Sequence, residues 1–277
     1  MADHRPPSRL RTRLLTVIVA GSLAVWLIER GELWYFLFVT VILTVAVVEF
    51  CWLMRRGGSR LSFIFATALL WVLLLDAQFP DWSLLGPGVS LVMMGSLTWR
   101  LAHREGNRLT DWALGMAGPL YVGWYGAHII RLRNMPAGLW WTMTALPTIW
   151  CADGGAYLIG RAMGRHRLCA ALSPGKTWEG WAGGAVIGAL AGAGLAALWG
   201  LRAGPQGPSA VEGLVLGLIV GTVAPLGDLV ISMIKREVGA KDTGFIFPGH
   251  GGALDRVDSV LWAGVIGYYF AVWIHGL

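Results

Sequence analysis

The chain has 277 residues, of which 56% are apolar and only 14% are charged. Soluble domains carry about 25% charged residues, so this composition argues against a water-soluble protein. The 16 tryptophans and 39 glycines fit a membrane protein, where tryptophan marks the interfaces and glycine is common in helices. The net charge of +6 would indicate nucleic acid only with a basic patch on a soluble face, whereas here the basic residues are distributed by the membrane.

Long apolar runs recur along the chain, and a run of about 18 residues or more is long enough to cross a bilayer as a helix. We predict spans at about residues 14–28, 33–54, 61–79, 83–100, 110–130, 137–160, 180–201, 211–234 and 258–276. The predicted fold class is therefore all-α, a polytopic transmembrane helical protein with about nine membrane spans. We expect a single integral membrane domain over residues 1–277, with N-terminal helices in 1–135 and the polar motifs in 136–277.

The basic residues of the loops predict how the helices are oriented in the membrane. With a cytoplasmic N-terminus, nearly all Lys and Arg residues fall in cytoplasmic segments, as the positive-inside rule requires. The exceptions are Arg30, Arg131, Arg133 and Arg202. This orientation places the loops 161–179 and 235–257 in the cytoplasm and makes the pair Arg131 and Arg133 a local violation. Compact size, with no visible organelle-targeting segment, favours the bacterial plasma (inner) membrane.

The eighth predicted span contains an aspartate within an apolar run. An ionisable residue inside a membrane span is a candidate functional residue by default. Helical spacing places Asp228, Ser232 and Lys235 on one face, with Arg236 beside them. Pro225 lacks a backbone N–H and is predicted to kink this helix. The alternative interpretation is a purely structural pair between Asp228 and Lys235 or Arg236.

The sixth predicted span and the loop after it form a second polar region. Asp153, Tyr157 and Arg161 share one helical face. The glycines that would allow close helix approach are Gly154, Gly155 and Gly160. Lys176 in the loop suits an anionic group as a point charge, although the loop lacks the glycine spacing and the preceding strand of a P-loop. The alternatives are a hydrogen-bonded aspartate in helix packing and a Lys176–Glu179 pair.

The stretch 232–258 combines acids, bases and glycines. Asp255 and Asp258 share a face if the last helix begins near Leu254, and with Asp228 they could form a carboxylate cluster suited to Mg²⁺. The glycine turn around His250 can offer backbone N–H groups to an anion. The bases that would neutralise phosphate charge are Lys235, Arg236, Lys241 and Arg256. The combination indicates a metal–polyphosphate site, and a solvated charged loop is the alternative.

Two motifs with fixed spacing emerge from these regions. The first is Asp153-x2-Ala156-Tyr157-x2-Gly160-Arg161 followed by Ser173-Pro174-x-Lys176-Thr177-x-Glu179-Gly180. The second is Ser232-x-Ile234-Lys235-Arg236-x4-Lys241-Asp242-x-Gly244-x2-Phe247-Pro248-x-His250-Gly251-Gly252-x2-Asp255-Arg256-x-Asp258. Both resemble the signatures of the phosphatidate cytidylyltransferases, also called CDP-diacylglycerol synthases. The resemblance is strong over about 150–260 and weak before that. Gly175 stands where many members carry Lys, and Ala253 where a bulkier aliphatic residue is usual.

The resemblance implies that CTP and phosphatidate react to give CDP-diacylglycerol and pyrophosphate, with Mg²⁺ as the cofactor. The implied metal ligands are Asp228, Asp255 and Asp258, with Asp255 the first choice. The implied catalytic residues are Asp228, Lys235, Arg236, Lys241, Asp255 and Arg256. The implied substrate-binding residues are Asp153, Tyr157, Arg161, Ser173, Lys176, Thr177, Glu179, Ser232, Asp242, His250, Gly251 and Gly252. We expect the lipid to enter sideways from the bilayer and to meet CTP near the cytoplasmic surface.

The expected partners are CTP, phosphatidate and membrane lipid, with a homodimer left open and no nucleic acid. One alternative is a related CTP-dependent enzyme that acts on another lipid phosphate or a polyprenol. Two others, from different classes, are an ion-coupled transporter that uses Asp153 and Asp228 and a lipid-binding scaffold without turnover. The sequence shows no internal repeat, which counts against the transporter.

Overall fold

The computed structural model describes residues 21–103, 106–244 and 252–275, and it is mainly helical. The helices are α1 (residues 21–30), α2 (Glu32–Arg56), α3 (Phe63–Gln78), α4 (Leu85–Ala102), α5 (Arg108–Asn134), α6 (Gly138–Met163), α7 (Trp178–Ala203), α8 (Ala210–Val223), α9 (Pro225–Glu237) and α10 (Leu254–His275). Short 3₁₀ turns occur at Pro80–Trp82 and Gly204–Gln206. From α2 onward, the helices begin and end within a few residues of the predicted spans. The first predicted span begins outside the described residues.

Within the described part of the chain, four helical stretches are long and apolar enough to cross a membrane. They are Glu32–Arg56, Trp178–Ala203, Ala210–Glu237, which comprises α8 and α9, and Leu254–Ile274. The predicted class, an all-α membrane protein, is confirmed. The number of spans, about nine, stays a prediction.

The predicted kink at Pro225 is a complete break between two helices. Ala224 ends the hydrogen-bonding pattern of α8 by donating its N–H to the Val220 carbonyl at 3.0 Å. Pro225 is the first residue of α9, where a missing N–H costs least because the first helical donors have no intrahelical partner. The break places Asp228 in the first turn of the new helix. The kink prediction is confirmed.

A short antiparallel hairpin interrupts the helices after α6. Its strands are β1 (Arg167–Cys169) and β2 (Ser173–Thr177), with Arg167 opposite Thr177. The Thr177 hydroxyl then accepts the Gly180 N–H at 3.1 Å and caps α7. The all-α prediction treated this segment as a loop and missed the hairpin. The consequence is that Lys176 sits on a hydrogen-bonded strand and not on a free loop.

Glycines bring α6, α7 and α8 into backbone contact. A Cβ added at Gly188 of α7 would lie 2.8 Å from the Gly217 carbonyl oxygen of α8, so any side chain there would force the helices apart. On α6, a Cβ at Gly155 would lie 2.7 Å from the Ile187 side chain, whereas Gly154 has nothing within 4 Å. The predicted close approach is confirmed at Gly155 but is wrong at Gly154, which faces open space.

An ion pair and a hydrogen bond hold the two arginines that the predicted orientation makes exceptions to the positive-inside rule. Arg131 forms an ion pair with Asp76 of α3 at 3.0 Å, and Asp76 also accepts the Leu85 N–H at 2.9 Å. Arg133 donates from Nε to the Ile28 carbonyl at 2.7 Å. Both guanidinium groups are therefore bound by groups of the protein.

The last helix lies in the centre of the fold. α10 packs against α2, α5, α6, α8 and α9, and Leu261, Ala263 and Ala271 on it are fully buried. Its Trp262 donates from Nε1 to the Tyr121 hydroxyl of α5 at 2.8 Å. This packing fixes the first turn of α10, which carries Asp255 and Asp258, beside α9 and the end of α2.

Candidate active site

The hairpin and α9 meet through an ion pair. Lys176 Nζ lies 2.7 Å from Asp228 Oδ2 and also donates to the Pro225 carbonyl at 3.2 Å. The structure thus joins the two motifs that are separate in the sequence. The alternative of a purely structural pair between Asp228 and Lys235 or Arg236 is wrong, because Asp228 pairs with Lys176 instead. About a third of each side chain is exposed, 27% for Lys176 and 36% for Asp228, so the pair remains reachable by a ligand.

Two more carboxylates lie within electrostatic reach of this pair. Asp153 on α6 is attracted by Lys176 and repelled by Asp228. Asp258 on α10 has the same two neighbours and is repelled by Asp255 as well. Asp258 is only 6% exposed, and one of its oxygens accepts the Ser259 N–H at 2.6 Å. Three helices therefore each supply a carboxylate to the electrostatic surroundings of Lys176, and Asp228 contacts its ammonium group directly.

Asp255 is the anchor of a second ion pair. Its Oδ1 lies 2.7 Å from Lys235 Nζ. Its Oδ2 accepts three hydrogen bonds, from the Thr243 N–H at 3.0 Å, the Thr243 hydroxyl at 2.9 Å and the Gly252 N–H at 3.2 Å. A carboxylate has about two lone-pair sites on each oxygen, so Oδ2 is fully engaged by its three donors, whereas Oδ1 accepts from Lys235. It links α9 and α10 to the residues on either side of 245–251.

Two predicted polar residues of the neighbouring helices, Glu179 of α7 and Arg236 of α9, bind residues in and beside the hairpin. Glu179 binds His166, with 2.6 Å between Oε1 and Nδ1, and it also accepts the His166 N–H at 3.2 Å. The Lys176–Glu179 pair weighed above is therefore wrong. Arg236 donates from Nε to the Leu172 carbonyl at 3.3 Å and ties α9 to the hairpin.

The remaining predicted residues are less tightly connected. Ser232 lies 3.4 Å from Asp228 Oδ1, and Arg161 lies 3.4 Å from the Tyr157 hydroxyl. The side chains of Lys241, Asp242 and Arg256 are exposed, and Ser173 is half-buried in β2. His250 and Gly251 lie outside the described residues.

The predicted metal ligands are divided between the two ion pairs. Asp228 and Asp258 lie near Lys176, whereas Asp255 binds Lys235. Over residues 21–103, 106–244 and 252–275, no three His, Cys, Asp or Glu side chains are grouped closely enough to hold a metal ion. The donor chemistry nevertheless fits Mg²⁺, because Asp228 already places a carboxylate oxygen 2.7 Å from a cation, the Lys176 ammonium.

Glu49 is a site neighbour that the sequence reasoning missed. It lies on α2, is 4% exposed, and accepts the Leu254 N–H on Oε2 at 3.0 Å. The signal was present, because Glu49 is an ionisable residue within a predicted membrane span, as Asp153 and Asp228 are.

Comparison with known proteins gives matches over almost the whole chain. The model of the cytidylyltransferase family matches residues 11–274. The phosphatidate cytidylyltransferase of Brucella suis is 34% identical over 272 residues, which cover 95% of this chain and 93% of that protein. The phosphatidate cytidylyltransferase of Bacillus subtilis is 30% identical over 259 residues, or 91% of this chain and 94% of its own. That of Synechocystis is 31% identical over 303 residues, with coverages of 94% and 96%. The similarity therefore includes the N-terminal helices, where the motifs alone gave only a weak resemblance.

Proposed function

The chain belongs to the cytidylyltransferase family, and on this premise we propose that it transfers CMP from CTP to phosphatidate, giving CDP-diacylglycerol and pyrophosphate. The observation that carries the proposal is the contact between Lys176 and Asp228, which joins the hairpin motif to the motif of α9 and α10. The curated relatives, named phosphatidate cytidylyltransferases, support the choice of substrates. They do not favour another lipid or polyprenol phosphate, or an ion-coupled transporter.

The reaction needs charge stabilisation more than proton transfer. A phosphate oxygen of phosphatidate is already a nucleophile, and it attacks the α-phosphorus of CTP. The new P–O bond forms as the bond between the α-phosphorus and the bridging oxygen to the β-phosphorus breaks, and pyrophosphate leaves with that electron pair. Catalysis then depends on positioning two anionic substrates and on compensating the charge that develops.

The basic residues supply this compensation. In the structure, Lys176 and Lys235 are each held by a carboxylate at 2.7 Å, which keeps their ammonium groups in fixed positions. We propose that substrate phosphates take the place of Asp228 on Lys176, while Asp255 keeps Lys235 aimed at the phosphates. Arg236, Lys241 and Arg256 add positive charge around them.

We propose Mg²⁺ as the cofactor, held by Asp228 and Asp258. When bound, it would polarise phosphoryl oxygens and neutralise the pyrophosphate leaving group. Asp255 stays a predicted ligand through Oδ1, which accepts from Lys235, whereas Oδ2 already accepts from three donors. Asp228 is freed for a metal by the same exchange that gives Lys176 to a phosphate.

The membrane arrangement is proposed on the pattern of helices and charges. We propose about nine spans in a single domain, in a bacterial plasma membrane, with the site facing the cytoplasm. The lipid then reaches the site from the side and keeps its acyl chains in the bilayer. We also propose that the protein assembles as a homodimer.

The test is release of pyrophosphate from CTP by the purified protein. Complete reactions contain CTP, Mg²⁺ and phosphatidate in mixed micelles, and parallel reactions omit each component or replace phosphatidate with a polyprenyl phosphate. We expect release, with matching formation of CDP-lipid, only in the complete reaction with phosphatidate. Turnover with polyprenyl phosphate alone would reassign the acceptor. Release that does not require a lipid acceptor would overturn the proposal.

A further inference from the structure

The buried carboxylate of α2 holds the beginning of α10. We propose that Glu49 is a positioning residue for the reaction, which acts through Leu254 and Thr243 on Asp255. The inference rests on the proposed function, since it is that function which gives Asp255 its place in the site.

The first contact is a cap on α10. Leu254 is the first residue of the helix, and its N–H donates to Glu49 Oε2 at 3.0 Å. The first N–H groups of a helix have no partner within it, and an anion near them is favoured by the helix dipole. Asp255 follows directly, so the position of its backbone depends on this cap.

The second contact runs through a threonine. The Thr243 hydroxyl lies 2.9 Å from Asp255 Oδ2 and 3.4 Å from Glu49 Oε2. A hydroxyl carries a single hydrogen, which the shorter distance assigns to Asp255. Thr243 is 2% exposed and therefore sits in a fixed position between the two carboxylates. Thr243 is packed between the two carboxylates, so a shift of the Glu49 side chain would move Thr243 and, with it, the hydrogen bond to Asp255.

The backbone around Glu49 is packed closely against its carboxylate. A Cβ added at Gly244 would lie 2.7 Å from Glu49 Cδ, and one at Gly252 would lie 2.8 Å from the same atom. These two glycines flank the segment 245–251. The carboxylate of α2 therefore contacts the polar stretch 232–258 at two points, Gly244 and Gly252.

The energetics indicate a role beyond stability. Glu49 is 4% exposed, and its Oε1 has no hydrogen-bond partner among the residues that the structure describes. Leaving a buried charged oxygen unpaired costs more than a neutral residue would, so a sequence selected for stability alone would not favour a carboxylate here. A carboxylate is favoured if its charge fixes the neighbouring donors for catalysis.

The experiment compares Glu49→Gln and Glu49→Ala with a matched control, Asp76→Asn. Asp76 is also a buried carboxylate of the N-terminal helices that caps a helix, at Leu85, and its ion-pair partner Arg131 is outside the site. We expect kcat for CDP-lipid formation to fall about tenfold or more in Glu49→Gln and further in Glu49→Ala, because misplacement by about 1 Å can cost about 100-fold. Asp76→Asn should keep kcat within about twofold of the wild type while lowering the thermal midpoint at least as much as Glu49→Gln.

A second measurement separates positioning from general destabilisation. With Thr243→Val, the double variant with Glu49→Gln should lose less activity than the product of the two single losses, because both act on Asp255. Hydrogen exchange of peptides from the start of α10 should accelerate in Glu49→Gln and stay at the wild-type rate in Asp76→Asn. Wild-type kcat in Glu49→Gln, or unchanged exchange there, would overturn the inference. An inactive wild type would instead overturn the proposed function, and the exchange measurement would still test the role of Glu49.

Discussion

The substitution Asp255→Asn tests the centre of the proposed site. Asp255 accepts from four donors, which are the Lys235 ammonium and three groups from Thr243 and Gly252. Asparagine has one acceptor oxygen and one NH₂ group in place of two acceptors. If the NH₂ group faces Lys235, two hydrogen-bond donors point at each other. If it faces Thr243 and Gly252, it points at the donors of both residues. Either orientation leaves buried donors unmatched.

The magnitude follows from the lost contacts. Hydrogen bonds to charged groups contribute about 1.5–3 kcal/mol each, and the asparagine variant would lose at least the charge-assisted contact with Lys235. Removing a preorganised charge partner from a site costs about 100- to 1,000-fold in kcat. We therefore expect CDP-lipid formation at about 1% of the wild-type rate or below, with a thermal midpoint only a few degrees lower.

The assay is formation of CDP-lipid from radiolabelled CTP by purified variants at saturating substrates, together with thermal unfolding in the same detergent. Asp76→Asn is the control, because it breaks a similar ion pair that lies away from the site. In that pair, Asp76 is 3.0 Å from the Arg131 guanidinium. It should lower the midpoint and keep activity. Full activity in Asp255→Asn would refute the role of Asp255, and equal loss in both variants would attribute the effect to destabilisation.

Three other predictions follow from the contacts described above. Lys176→Met removes the cation paired with Asp228 and should raise KM for CTP about tenfold or more. Lys176→Arg keeps the charge and should recover part of the loss. An unchanged KM for CTP in Lys176→Met would show that Lys176 is not part of the site. Gly188→Leu should lower the thermal midpoint because its Cβ meets the Gly217 carbonyl at 2.8 Å, whereas Gly194→Leu, with nothing within 4 Å, should not; equal midpoints would contradict the packing. Chelation with EDTA should stop CDP-lipid formation and added Mg²⁺ should restore it, and turnover that persists in EDTA would exclude Mg²⁺ as the cofactor.

Much of the fold is predictable because the bilayer imposes a length and a composition on each span. The helix ends from α2 onward follow from apolar runs, and the break at Pro225 follows from a missing backbone donor. The hairpin was missed because β1 and β2 have only three and five residues, too short for a period-2 pattern to stand out. Its existence depends on tertiary contacts, such as Arg236 to the Leu172 carbonyl.

The sequence indicated which residues to expect in the candidate site, but not which of them contact one another. Helical spacing placed Asp228 and Ser232 on one face, and they lie 3.4 Å apart, but periodicity within one helix cannot indicate what approaches it from another element. Lys176 and Asp255 come from distant parts of the chain and pair with Asp228 and Lys235. Glu49 was missed because it stands alone in an apolar run, outside the charge-dense motifs of residues 150–260. The rule on ionisable residues in membrane spans applies to it equally.

The two 2.7 Å ion pairs also bear on which molecules the protein can reject. A membrane surface offers many anionic headgroups at high local concentration, and each of them could approach an uncovered lysine. A bare headgroup that took Lys176 from Asp228 would leave a half-buried carboxylate without compensation. An anion that arrives with a divalent cation compensates both partners at once. Under the proposed exchange at Lys176, the resting ion pairs would discriminate against abundant lipids and in favour of a nucleotide that carries its own metal.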